Sequence, residues 1–318
     1  MPVLETLDIN FFVKKNSYYA LPCNWGRLTT LQVERIHLTE VMKILVNTPR
    51  MQSIKFNVYL SNNFSLDNIP TLPVHLHNLN EMRLTLPGIG YSAAEIETLT
   101  SMFNRIQCPA LRLLSFTCQF SSLPFVGQSL HALETLQLDM PVTSELLTDC
   151  ISWTPSLTTF QLSARFMSNC DGSGAFSHPL EDSHLFTLTP SATNSTPSWP
   201  QLENIRIFSQ YSSPFPTAAS SLTSAALVGF LESRSLTLKS CDLLLLHPPS
   251  LSEVELDTLR NLKKDGMKLR VRWAKPPPES GPDLPDTGLV ESPKLVFPRA
   301  DLSPHSNTEG LYGMVVIV

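Results

Sequence analysis

The sequence predicts an α/β chain of stacked repeats, and three features carry that prediction. The first is a recurring apolar spacing, L-x-x-L-x-L with conservative swaps. It reads Leu4/Leu7/Ile9, Leu28/Leu31/Val33, Met51/Ile54/Phe56, Leu79/Met82/Leu84, Leu111/Leu114/Phe116, Leu133/Leu136/Leu138, Leu157/Phe160/Leu162 and Leu202/Ile205/Ile207. Successive first positions lie 24, 23, 28, 32, 22, 24 and 45 residues apart. Five of these seven gaps fall in the period range of leucine-rich repeats. The second feature is alternation, as in Thr135-Leu136-Gln137-Leu138-Asp139. Period two is the mark of a short strand with one buried and one solvated face. The third is proline: Pro2, Pro49, Pro109, Pro155 and Pro200 stand two residues before a first apolar position in five of the eight units. With 26 prolines in 318 residues, fewer than one would fall there by chance. Proline ends a helix and presets an extended approach, which suits the junction from an outer helix into a strand. No such unit buries its apolar face alone, so neighbours must stack. The expected fold is a leucine-rich-repeat solenoid, curved, with a parallel inner sheet and with helices and irregular turns outside.

The connecting stretches support this. Residues 38–47 place Leu38, Val41, Met42 and Leu45 on one helical side before Pro49 stops them. Residues 92–105 begin with the capping-box spacing Ser92-Ala-Ala-Glu95 and carry Ile96, Leu99, Met102, Phe103 and Ile106 at helical intervals. Residues 143–153 repeat the theme with Leu146, Leu147 and Cys150. Two weaker units follow: a helix over 222–232 leading into a strand over 236–241, then a second capping box, Ser252 to Glu255, opening a helix with Leu256, Leu259 and Leu262. Gly266 stops that helix, and Lys268-Leu-Arg-Val-Arg-Trp273 alternates as a last strand. The solenoid of about ten irregular repeats thus covers residues 1–273. Its first unit starts almost at Met1, so either the first strand is an exposed edge or further sequence precedes it.

Two segments do not repeat. Residues 163–198, rich in Ser, Thr, Asn, Gly and Pro, read as a surface insertion. Residues 274–318 hold eight prolines, three basic and six acidic residues and no helical stripe, and read as a disordered tail.

Composition excludes several functions. Fifty leucines, 16% charged residues and a net charge of −5 with no basic block argue against a nucleic-acid surface. The longest apolar runs, near Leu243 and Met314, are far short of a membrane span. The N-terminal residues lack the basic and apolar regions of a secretory leader, so the chain is expected in the cytoplasm or nucleus and not to be secreted. The cysteines, Cys23, Cys108, Cys118, Cys150, Cys170 and Cys241, show no metal or disulfide spacing.

Catalytic signatures are equally sparse. His75-Leu-His77 has no carboxylate or cysteine at ligand spacing, and Pro87-Gly-Ile-Gly90 and Asp171-Gly-Ser-Gly174 read as turns. His178 and His184, with Glu181 and Asp182, are the one cluster a metal-dependent hydrolase could use, though a flexible surface loop is the expected reading. The four tryptophans fall at repeat junctions and are read as packing. No cofactor and no enzymatic activity are expected.

What remains is the inner face. The polar residues alternating with the apolar ladder point to it. The strongest candidates for contact with a protein partner are Asp8, Gln32, Glu34, Lys55, Asn57, Glu81, Arg83, Gln137, Asp139, Gln161 and Arg206. Solenoid faces of this kind recurrently bind proteins, so the chain is read as a monomeric, non-enzymatic recognition module.

The segments T-P-S-L-T-T-F-Q-L (Thr154 to Leu162), W-P-Q-L-E-N-I-R-I (Trp199 to Ile207), R-S-L-T-L-K-S-C (Arg234 to Cys241) and L-K-K-D-G-M-K-L-R-V (Leu262 to Val271) resemble the fungal F-box and leucine-rich-repeat proteins. The resemblance covers roughly residues 1–273. It implies the substrate-recognition part of a ubiquitin-ligase subunit. The helical F-box with which that family docks on its ligase adaptor has no counterpart here, so an adaptor is implied only where an F-box lies upstream. A truncated family member with no independent role is the alternative.

Overall fold

The computed structural model describes residues 4–10, 21–59, 73–86, 93–120, 122–125, 130–165, 180–190, 199–210, 222–245 and 249–273. The expected tail, 274–318, lies outside them, as does Ser92 with its capping box. The described chain is mixed α/β around one open, parallel sheet of ten strands. Its strands are β1 (Thr6–Ile9), β2 (Thr30–His37), β3 (Ser53–Tyr59), β5 (Glu81–Thr85), β7 (Leu113–Thr117), β8 (Thr135–Asp139), β9 (Thr159–Arg165), β10 (Asn204–Gln210), β11 (Ser240–Leu245) and β12 (Lys268–Trp273), lying side by side in chain order. A separate two-stranded sheet pairs β4 (Val74–His75) with β6 (Ile106–Gln107), which the repeat pattern did not foretell. The helices are α1 (Leu38–Val46), α2 (Ala93–Phe103), α3 (Ser144–Trp153), α4 (Asp182–Leu188), α5 (Ser224–Ser233) and α6 (Glu253–Lys264).

The apolar ladder builds the core. In the seven units from Leu28 to Ile207, every first, second and third apolar residue is buried. The second positions run in register as Leu7, Leu31, Ile54, Met82, Leu114, Leu136, Phe160 and Ile205, and they continue through Cys241 and Leu269. They share one hydrophobic cluster with the buried sides of the helices, so the helices cover one face of the sheet and leave the other open. At the first unit Leu4 is half exposed and β1 is an edge strand.

A second ladder runs along the leading edge. One carbonyl in each unit accepts two N–H groups from the next: Glu5 O from Thr29 and Thr30, Thr29 O from Gln52 and Ser53, and so on through Gln52, Asn80, Arg112, Glu134, Thr158 and Glu203. A recurrent tight turn precedes it. The N–H of the first apolar residue bonds the carbonyl three residues earlier, as in Leu28 to Trp25, Met51 to Thr48, Leu111 to Cys108, Leu157 to Thr154 and Leu202 to Trp199. The residue at that earlier position is buried each time. Proline follows it at 49, 109, 155 and 200 because the turn needs no N–H there.

Two expectations need correction. Within residues 163–198, read as a surface insertion, β9 runs to Arg165, and α4 buries His184, Leu185 and Leu188 against the core between α3 and α5. Its stripe is only two turns long and is diluted by polar neighbours, which hid it. Asp182 ties it to α5, its carboxylate accepting from the Thr223 N–H (2.7 Å) and hydroxyl (2.9 Å). The strand expected over 236–241 forms instead at Ser240–Leu245. Leu236 and Leu238 imitate strand alternation, but the N–H groups of Thr237 and Leu238 close a turn on Arg234 O, and Leu236 is 99% exposed. The ninth ladder unit is therefore Leu238/Cys241/Leu243.

The C-terminal helix forms as its punctuation predicts. Ser252 Oγ accepts from Glu255 N–H, Glu255 Oε2 accepts from Ser252 N–H at 2.7 Å, and Gly266 terminates with φ +103°. No helix among the described residues is long and apolar enough to cross a membrane.

Candidate functional site

All eleven residues expected on the inner face lie on strands of the large sheet, and the parallel register brings them together. The central row runs Asp8, Gln32, Lys55, Arg83, Ser115, Gln137, Gln161 and Arg206, one residue per strand. Neighbours along it are one strand spacing, about 4.8 Å, apart. Glu81 joins the preceding row beside Ser53, and Asn57 leads the following row through Thr85 and Thr117 to Asp139. Glu34 sits at a bulge in β2, where Arg35 has φ +60° and the pairing with β3 skips. Asn57 Nδ2 donates to Glu34 Oε2 at 3.4 Å. Asp8, Lys55 and Arg206 are exposed and the other eight half-buried.

The same register extends the row to residues the sequence reading missed. Arg206 lies beside Asp242 and Asp242 beside Arg270, while Ser240 neighbours Lys268 and Leu244 neighbours Arg272. Asp242 and Leu244 escaped notice because the strand before Leu245 was placed too early, and the signal that finds them is Leu238/Cys241/Leu243, with cysteine standing in for the second apolar residue; Lys268, Arg270 and Arg272 lie on the expected last strand, but without β11 in place that strand was not joined to the row. Arg272 Nη2 donates to Asp242 Oδ1 at 2.9 Å. On the N-terminal side Arg83 Nε is held by Glu81. Three buried polar atoms on this face, Asn57 Oδ1, Gln137 Oε1 and Arg272 Nε, have no hydrogen-bond partner among the described residues. Such atoms cost free energy until a partner satisfies them.

Of the histidine cluster, the described member His184 is engaged in packing. His184 is buried, its Nδ1 accepting from Glu181 N–H (3.0 Å) and its Nε2 bonded to Val142 O (2.8 Å). Nδ1 therefore carries no proton and Nε2–H donates, so both nitrogens are used in seating α4. His178 lies outside the described residues. Among the described residues no group of three His, Cys, Asp or Glu side chains could hold a metal ion. His75 and His77 are exposed and stacked at 5.7 Å beside β4.

The four buried thiols among the described residues are packing groups. Burial pushes Cys108, Cys118 and Cys150 up to about 12 and Cys241 higher still, so at neutral pH they remain protonated, the unreactive form. Trp199 packs on Phe160 at 4.9 Å between centroids and donates from Nε1 to Thr154 Oγ1 at 2.9 Å. Arg234 is buried with it, donating from Nε (3.0 Å) and Nη2 (2.7 Å) to Leu188 O and from Nη1 to Trp199 O (2.8 Å). No protein-family model and no curated protein matches this sequence.

Proposed function

We propose that the chain is a leucine-rich-repeat solenoid that recognises a protein partner on the open face of its sheet and performs no chemistry of its own. The observation that carries this reading is the unbroken register of polar side chains from Asp8 to Arg270 across ten parallel strands in chain order. A sheet covered by helices on one face and polar on the other presents a long, stiff surface whose side chains are fixed by their neighbours. That geometry supports recognition, because little side-chain freedom is left to lose on binding. The mixed charges and unsatisfied amide oxygens favour a partner that supplies hydrogen bonds. The likeness to fungal F-box and leucine-rich-repeat proteins extends the proposal to intracellular substrate recognition for a ubiquitin ligase, with an adaptor contact only where an F-box lies upstream.

The test is site-specific photocrosslinking in extract of the native cell. The photoreactive residue p-benzoylphenylalanine would replace Gln137 or Asp139 on the open face, or Thr148 or Lys263 on the exposed side of the helices. Discrete protein adducts from the first pair and none from the second are expected. Adducts from the helix side alone, or none from the face, would overturn the proposal.

A further inference from the structure

We infer that the β10–β12 end of the open face takes an acidic peptide segment of the partner, read through side-chain carboxylates or phosphates. This rests on the face being the binding surface and adds where on it the charge is read. The chain as a whole carries −5. Along β1 to β8 the charged face residues are Asp8, Glu34, Glu81 and Asp139 against Arg35, Lys55 and Arg83, a local −1. Along β10 to β12 they are Arg206, Lys268, Arg270 and Arg272 against Asp242, a local +3. The face is therefore polarised against the charge of its own protein.

The pairing sharpens the contrast. Asp242 is engaged by Arg272 at 2.9 Å, and at the neighbouring edge Glu203 and Lys239 cancel each other at 2.6 Å. Arg206, Lys268 and Arg270 are exposed and make no ion pair among the described residues, although Asp242 stands between the two arginines in the row. Arg206 and Arg270 are two strand spacings, roughly 10 Å, apart. Asp242 between them is a single negative charge and is already engaged by Arg272, so it offsets only part of the positive charge that Arg206, Lys268 and Arg270 present to solvent. Phe208, half-buried two residues beyond Arg206 on the same face and beside Leu244, offers an apolar footing next to the charges. Three cations are too few for a nucleic-acid backbone, which is held through many phosphates along a groove. They match a short acidic stretch of polypeptide.

The full chain would be titrated, by fluorescence anisotropy, into a labelled glutamate-rich peptide, a phosphoserine counterpart without glutamate, and a glutamine counterpart. Binding of either anionic peptide and not the glutamine one is expected, falling steeply as salt is raised from about 50 to 300 mM. Arg206→Ala/Arg270→Ala should weaken it at least about tenfold, and Lys263→Ala/Lys264→Ala, which removes two exposed positive charges from α6 on the helix side, should leave it unchanged; identical melting curves for both variants establish that they fold. Whichever anionic peptide binds more tightly identifies carboxylate or phosphate as the group read. Carbodiimide coupling at Lys268 should link to the added glutamate peptide. Equal binding of the glutamine peptide, equal loss in the two variants, or coupling of Lys268 only to carboxylates of its own chain would overturn the inference. Photocrosslinks from Gln137 persisting alongside such a result would show that the binding face stands and only its acidic reader has failed.

Discussion

Arg234→Ala should destabilise the fold by about 3–5 kcal/mol, and the structure shows where that figure arises. Arg234 is 2% exposed, and its guanidinium, pushed down to about 10 by burial, stays charged at neutral pH. It donates twice to Leu188 O at the end of α4 and once to Trp199 O at the turn before β10. Trp199 O also accepts Leu202 N–H at 3.1 Å, so it loses only part of its hydrogen bonding, whereas Leu188 O loses both guanidinium donors. Hydrogen bonds to a charged group contribute about 1.5–3 kcal/mol each, offset in part by the desolvation of that charge. Emptying a site this size adds about 2 kcal/mol or more. Arg234→Met refills most of the volume and supplies no donor, so it should recover about half of the loss. Urea unfolding followed by circular dichroism and by tryptophan emission reads both variants, with Trp199 buried beside the site as a local reporter. If Arg234→Ala unfolds within about 0.5 kcal/mol of the wild type, the guanidinium does not hold α4 and the Trp199 turn to α5, and the reasoning fails.

Two further outcomes follow from the same structure. Leu136, 2% exposed between Leu114 and Phe160, should cost about 2–5 kcal/mol as Leu136→Ala, while Gln137→Ala on the open face should cost under about 0.5 kcal/mol; equal losses in urea unfolding would reverse the assignment of the two faces. His37 caps α1, its Nδ1 accepting from Thr39 N–H at 3.4 Å, and burial holds it below its ordinary value of 6.5, with Glu40 opposing and Lys43 assisting. The cap needs the neutral ring, so its contribution is whole above pH 6.5 and is lost as pH falls through the lowered value. His37→Asn, which caps without titrating, should flatten the fall in stability between about pH 7 and pH 5; unfolding midpoints that drop equally in both proteins would contradict this.

The spacing of Leu28/Leu31/Val33 and its successors was enough to place the sheet, its buried face and the polar row from Asp8 to Arg206, because a period of two leaves one choice of face and a regular repeat one choice of neighbour. Ser252, Glu255 and Gly266 likewise announced α6, since capping and a left-handed stop are local chemistry. Legibility ended where a contact is made at long range. Leu236 and Leu238 share the alternation of a strand; the turn that separates them closes on the carbonyl of Arg234, a residue whose side chain is anchored at long range to Leu188 O and Trp199 O. α4 is seven residues long, too short to be stable on propensity alone, and exists because Asp182 meets Thr223, His184 meets Val142 and Arg234 meets Leu188. The basic end of the face was legible only in part: Arg206 was named, but Lys268 and Arg270 lie more than sixty residues further along the chain, and only the register of β11 makes them its neighbours. Sequence periodicity determines what each strand buries; only the assembled sheet decides which charges become neighbours, because that depends on how many residues each connection consumes before the next strand returns.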